Sequence, residues 1–202
     1  MNQVETNKAA PAVAAVVTHE VRDYAAWKKA FDAHAPSRRK CGIVATHVNR
    51  SAENENLITL YLAGTTASGL KEFFSSEDLK TTMQNAGVVS APEIKLVKPV
   101  EDLTVKTGTF AGAIVAHRVS DFAAWKPAFD AHAATRAAAG IVGHAVNRSE
   151  TDPNLVIIYL QAKSLDALKA FASSPDLKET MTRAGVVGAP TITFAYGQEW
   201  GV

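Results

Sequence analysis

The chain has one cysteine, Cys41, in 202 residues. An intrachain disulfide is therefore excluded, and a cysteine-based metal site has no second thiolate to draw on. An excess of one charge is also missing: 21 lysines and arginines face 20 aspartates and glutamates, a formal net charge of +1 at pH 7. So balanced a chain exerts no broad pull on nucleic acid or on an anionic membrane. No apolar run approaches the roughly 18 uninterrupted residues that a membrane span needs. The glycine-rich nucleotide loops, the Gly-x-Ser-x-Gly elbow and the His-Glu-x-x-His zinc motif are all absent. The first residues, Met1 to Lys8, include acids and no long apolar core, so they do not read as a secretory signal. These absences, with 47% hydrophobic and 20% charged residues, leave a soluble globular protein; a reducing compartment, the cytoplasm, is expected, and a secreted protein without bridges fits the single cysteine as well.

What is present is a repeat. Asp23-Tyr-Ala-Ala-Trp27-Lys-Lys-Ala-Phe31-Asp32-Ala-His34 returns as Asp121-Phe-Ala-Ala-Trp125-Lys-Pro-Ala-Phe129-Asp130-Ala-His132. The offset is 98 residues. It holds without a gap from Val17/Val115 to Ile94/Ile192, with 43 identities over those 78 positions. Such self-similarity marks a tandem duplication. The expected division is a tail over 1–12, a first unit over 13–97, a linker over 98–110 and a second unit over 111–202.

Within each unit the pattern alternates between the two elementary periods. Val13 to His19 is a valine-rich run, expected as a strand. Asp23 and Asp121 can cap a helical turn. Because proline suits only a helix's first turn, Pro127 predicts a short turn over 121–126 and a main helix from about 127; by alignment the first unit's helix starts near Lys29. Pro36 is expected to kink or shorten that helix. Gly42 and Gly140 end it. Ile43–Arg50 and Leu57–Leu62 follow as strands, and Leu155–Leu160, apolar throughout, predicts burial on both faces of a sheet. Two short helices come next; Ser174-Pro175-Asp176 carries an N-cap, a first-turn proline and a first-turn acid. A last strand over Glu93–Val97 or Thr191–Tyr196 closes each unit.

The order β-α-β-β-α-β is that of an α+β, ferredoxin-like sheet with helices on one face. Its other face is apolar and needs a cover, which the second copy supplies. The expected architecture is two tandem ferredoxin-like units fused into one pseudo-dimeric α+β barrel.

With this order, the Asp-x-x-x-Trp-Lys-x-x-Phe-Asp opening, the Gly-Ile-Val strand start and the Asp-Leu-Lys-x-x-Met-x-x-Ala-Gly-Val late segment, the chain resembles the dimeric α+β barrel superfamily. It is most similar there to the small bacterial proteins grouped with antibiotic-biosynthesis monooxygenases and stress-responsive barrels. The resemblance spans nearly the whole chain, twice. It implies pairing of the two halves with each other, leaves further self-association open, and implies a small-molecule ligand. It also implies either a monooxygenase-like or isomerase-like reaction without a bound cofactor, or a non-catalytic stress-related or ligand-sequestering role.

The residues offer candidates for either role. Trp27, Phe31, His34 and Arg38 fall on one helical face, as do Trp125, Phe129, His132 and Arg136. His34 and His132 can act as acid or base, and Arg38 and Arg136 can stabilise an anion. Equally, the histidines can close the core edge while each arginine pairs with an acid such as Asp32. Trp27, Trp125, Tyr61 and Tyr159 are candidate walls of a ligand pocket, as well as core. Asn49 and Asn147, at strand ends, are ligand or turn residues. His19 and His117 recur as well, whereas His47 faces Ala145 in the alignment and His144 faces Thr46. No three-histidine set repeats, so no metal site is expected, although aspartate and glutamate could complete one and the resemblance allows a haem-ligating histidine.

Overall fold

The computed structural model describes residues 11–201; residues 1–10, most of the expected tail, lie outside the described residues. The first half runs β1 (Val13–Glu20), α1 (Tyr24–Ala33), α2 (Ala35–Lys40), β2 (Ile43–Ser51), β3 (Leu57–Gly64), α3 (Ala67–Ser75), α4 (Glu77–Asn85) and β4 (Glu93–Asp102). The second repeats this as β5 (Ala111–Val119), α5 (Phe122–Ala131), α6 (Ala133–Ala138), β6 (Ile141–Ser149), β7 (Leu155–Ala162), α7 (Leu165–Ala172), α8 (Pro175–Arg183) and β8 (Val186–Gly201).

Each half is an antiparallel sheet in the order β4-β1-β3-β2 or β8-β5-β7-β6. The two sheets join edge to edge, β2 to β8 and β4 to β6, and close an eight-stranded barrel. The join is made by the last strand of each half. In β4, Glu93–Val97 pair with β1, while Val97–Asp102 pair with β6 of the other half. In β8, pairing with β5 extends to Tyr196, and Ala195–Gly201 pair with β2. Residues 98–102, expected in the linker, are therefore strand. An edge such as β6 must find a partner for its backbone groups, and these residues supply it. Pro99, which suggested a linker, sits at an irregularity in the β4–β6 register, where the ladder tolerates a missing donor.

Strand alternation sorts the side chains into layers. Val13, Ala15 and Val17 of β1, with Ile58, Leu60 and Leu62 of β3, pack under the helices with Trp27, Leu70 and Phe73. The equivalent residues of the second half repeat this around Trp125, Leu168 and Phe171. The intervening positions, including Ala14, Ala63, Val97 and Ile157, point inward and form a small third cluster inside the barrel.

The helix-start expectation is corrected. Proline did not delay the second helix: α5 is one helix over Phe122–Ala131 with Pro127 inside it. Asp121 caps it at the Ala123 N–H (2.8 Å), and Trp125 N donates to the Asp121 carbonyl. Burying Trp125 and stacking Phe129 on it at 5.0 Å require both on one continuous helical face. That packing outweighs one lost backbone bond, worth about 3 kcal/mol with the ring clash included. In the first half α1 likewise starts at Tyr24 rather than near Lys29. The break after α1 falls at His34, and Pro36 occupies the first turn of α2. Proline is not its cause, because the second half breaks at His132 with Ala134 in the equivalent place. An arginine recurs at both breaks. Arg38 donates from its guanidinium to the Phe31 carbonyl (2.5 Å), and Arg136 donates likewise to the Phe129 carbonyl. Each thereby satisfies a carbonyl in the last turn of the preceding helix.

Gly42 and Gly140 end α2 and α6 in the left-handed region, with φ of 75° and 87°. A Cβ at Gly42 would fall 2.7 Å from Thr65 Oγ1, whereas at Gly140 the nearest atom is Ala167 Cβ at 3.7 Å. Gly140→Ala should cost about 1–2 kcal/mol from backbone strain alone, and Gly42→Ala should cost more. Urea denaturation of the two variants measures this; equal losses would mean that Thr65 moves aside without cost.

Candidate functional site

Each half has a cleft between its helices and the outer face of its sheet. In the first half Val17, Leu60, Leu62 and Ile94 form the floor, while Trp27, Phe31, Phe73 and Met83 form the roof. In the second half Val115, Ile158, Leu160 and Ile192 lie under Trp125, Phe129, Phe171 and Met181. The clefts have about 630 and 730 Å³ of space, counted with the solvent at their mouths. The lining is mostly apolar, as that of small-molecule pockets is.

Two polar groups stand out in each. The first is His19, and its mate His117. They follow Val17 and Val115 by two residues on the same strand face, so they point under the helices. They are 4% and 5% exposed, and neither ring nitrogen of either residue has a hydrogen-bond partner. Each ring packs against the adjacent tryptophan, Trp27 or Trp125, at 5.6 Å between centroids. Burial pushes both histidines down to about 4, so they are neutral at pH 7. Buried polar groups are nearly always paired, so these nitrogens mark the cleft as a place where a polar atom is wanted.

The second is His34, and its mate His132. Nε2 of His34 lies 2.8 Å from Asp78 Oδ2, and Nε2 of His132 lies 2.7 Å from Asp176 Oδ2. Ser37 Oγ also donates to Asp78 (2.8 Å). The serine and histidine bonds hold the Asp78 carboxyl below its usual range. Each pair ties the α1–α2 or α5–α6 junction to the first turn of α4 or α8, beside the cleft. The carboxylate also orients the imidazole, and with Nε2–H donated to it, Nδ1 is the basic nitrogen.

The other expected residues divide differently. Trp27 and Trp125 line the clefts. Arg38 and Arg136 do too, but their guanidinium groups stack on Phe31 and Phe129 at 3.8 and 3.7 Å and donate to the carbonyls of those residues. The alternative pairing with Asp32 does not form as a direct bridge; Asp32 is held by Lys28 at 2.6 Å. Tyr61, Tyr159, Asn49 and Asn147 are not in the clefts at all. They lie on the opposite strand face and line the barrel interior. A pocket between helix and sheet in each half is found, but its expected tyrosine wall is corrected: the tyrosines line a separate interior compartment, because the pleat sends residues of opposite parity to opposite faces. The histidine mismatch between copies follows the same rule: His47 points into the barrel, while His144, displaced by one position, points out and bonds to Glu101 at 2.6 Å. Sequence reasoning missed Asp78, Asp176 and the weight of His19 and His117. The available signal was their recurrence in both copies. Among the described residues, no three His, Cys, Asp or Glu side chains cluster as a metal site would need.

No family model matches the chain, and neither does any curated protein. Solved structures do. An anthrone oxidase-like protein superposes with a TM-score of 0.68 at 14% identity, over 96% of this chain and 94% of its own. A protein from Lactobacillus acidophilus, provisionally named a monooxygenase, gives 0.65 at 10% identity, over 95% and 96%. A provisionally named chlorite dismutase gives 0.60 at 13%, over 94% and 96%. Identities this low establish fold and nothing finer. The protein is a tandemly duplicated, ferredoxin-like α+β barrel. No helix among its described residues is long and apolar enough to cross a membrane.

The barrel's buried histidines give its stability a distinct pH dependence. His19, His117 and the interior His47 are all lowered from 6.5 to about 4, with burial as the leading cause. In the window between those values the unfolded chain binds protons that the folded chain refuses. Stability is therefore full above about pH 6.5 and falls as pH drops toward 4. Each histidine accounts for up to about 3 kcal/mol. The urea midpoint should fall between pH 7 and 4.5, and the double variant His19→Phe, His117→Phe should flatten most of that fall. An unchanged pH slope would show that the two histidines titrate normally in the folded state.

Proposed function

We propose that this barrel binds one flat, largely apolar molecule in the cleft of each half and performs proton-transfer chemistry on it. The observation that carries the proposal is the pair His19 and His117, buried, neutral and without partners in otherwise apolar clefts. A ligand with fused or single rings would pack against Trp27 and Phe31, or Trp125 and Phe129. Its one hydroxyl, carbonyl or enol group would meet the buried imidazole, which as a neutral ring both donates and accepts.

The acid–base group is His34 Nδ1, or His132 Nδ1, with Asp78 or Asp176 holding the ring in place. Removal of an activated proton leaves an enolate-type anion. Return of the proton to another atom is an isomerase-like outcome; reaction of the anion with dioxygen is a monooxygenase-like one. No bound cofactor enters this scheme. The arginines act as a positive wall beside the cleft, positioned by Phe31 and Phe129, rather than as mobile anion clamps. The single thiol, Cys41, fits a reducing compartment such as the cytoplasm.

A second reading, a non-catalytic ligand-sequestering barrel, is favoured by one observation. The guanidinium groups are engaged with backbone carbonyls, which weakens the case for a dedicated oxyanion site.

The structural relatives' names suggest anthrone as the probe, a flat tricyclic ketone with an acidic methylene. Its oxidation consumes one dioxygen and yields anthraquinone and one water. The expected result is two anthrones bound per chain and dioxygen uptake. The double variant His34→Ala, His132→Ala should keep binding but lose about 10²–10⁴-fold in kcat/KM. Stoichiometric binding without dioxygen uptake or any change in the ligand would favour sequestration, and absence of binding to the clefts would sink both readings.

A further inference from the structure

The barrel interior is a separate compartment that plays no part in the chemistry above. It is small, and its walls come from both halves. The duplication would make it two-fold symmetric, but it is not. His47 stands where the second copy has Ala145, and its ring stacks on Trp200 at 4.0 Å and 6°. Lys106 Nζ lies 3.5 Å over the same indole. An imidazole and an ammonium cannot both take one face at those distances, so they sit on opposite faces of Trp200. The stack walls one end of the compartment. Exposed Asp102, paired with Lys106 at 2.8 Å, stands at the rim.

Two polar atoms in this compartment have no hydrogen-bond partner: Asn49 Oδ1 and the Tyr159 hydroxyl. Asn49 is 3% exposed and Tyr159 is 9% exposed, so bulk water does not serve them. Their neighbours are occupied. Asn49 Nδ2 meets His47 Nδ1 at 3.2 Å, the Tyr61 hydroxyl donates to Asn147 Oδ1 at 3.5 Å, and Asn147 Nδ2 donates to the Ile157 carbonyl at 3.4 Å. The Gln161 amide, held at both ends by the Val105 backbone at 2.7 and 3.2 Å, lies near enough to the Tyr159 hydroxyl to oppose part of its upward shift, but no hydrogen bond of normal geometry joins the two. Whichever way the Asn49 amide is turned, only one of its ends meets His47. Two unpaired buried polar groups facing one cavity are what a hydroxyl-bearing guest would satisfy.

The cavity also selects against charge. No lysine or arginine lines it. Burial keeps His47 down at about 4 and pushes Tyr61 and Tyr159 up, so all three are neutral. An ion brought inside would lose its hydration with no counter-charge beyond the rim. Ile114 and Ile157 offer apolar contact for a ring.

We propose that the barrel interior is a second ligand site, one per chain, for a small neutral single-ring compound bearing a hydroxyl. A phenol or quinol fits, with its oxygen bonded to Asn49 and Tyr159 and its ring against Ile114 and Ile157. The site is independent of the two clefts and of their chemistry.

The test uses the full chain and phenol as the probe, with benzene and benzoate beside it, following the side-chain NMR signals of His47 and Trp200. Phenol should shift both signals with one-to-one stoichiometry, and benzene and benzoate should shift them far less. Tyr159→Phe removes only an unpartnered hydroxyl and should keep the fold while weakening phenol several-fold; adding Asn49→Ala should bring the loss to about tenfold or more. The proposal is overturned if benzene matches phenol, if phenol shifts only cleft residues such as Trp27 and Trp125, if millimolar phenol shifts nothing, or if Tyr159→Phe leaves phenol affinity unchanged.

Discussion

The structure depends on how the last strand of each half is shared. β4 begins in its own sheet beside β1, and from Val97 onward it belongs to the ladder of the other half. β8 does the same with β5 and β2. Neither half can complete its backbone hydrogen bonds without the other, so the pairing of the halves is a mechanical requirement of the fold, and they are not two independent beads on a string. Closure also removes every exposed edge, which a four-stranded sheet would otherwise present to other chains.

Closure makes two kinds of space from one pleat. Side chains of one parity lie under the helices, where short amphipathic helices cannot cover the sheet fully and a cleft is left. Side chains of the other parity meet at the barrel axis. Chemistry is divided accordingly: imidazoles and tryptophans under the helices, phenols and asparagines within. A shift of one residue moves a side chain between compartments, as His47 and His144 show.

The two halves have diverged where the fold itself is not symmetric. The connection over 103–110 leads from the first half to the second, and Gln161 of the second half, where the first has Ala63, grips it through Val105. Lys106 from the same connection rests on Trp200. The clefts, which do not touch the connection, keep the same histidines, tryptophan, phenylalanine and arginine in both copies. Retention in the clefts and divergence at the barrel end are thus matched to different physical surroundings.

Much of this was legible without coordinates. The 98-residue offset determined that there are two like units. Apolar alternation, capping residues and the glycines at 42 and 140 determined the order of strands and helices, because those signals act between residues close in the chain. The face shared by Trp27, Phe31, His34 and Arg38 was legible for the same reason. What lies between distant residues was not. The sequence carried no sign that residues 98–102 would be strand, since their partner, β6, is more than forty residues away. It suggested that Pro127 would start a helix, whereas burial of Trp125 and Phe129 on one face kept the helix whole. It grouped tyrosines and asparagines with tryptophans, while the barrel's closure put the sheet between them. Local spacing determined the elements; only the closing of one sheet edge on another decided which side chains share a cavity, because a cavity is a property of surfaces brought together and no single stretch of chain contains it.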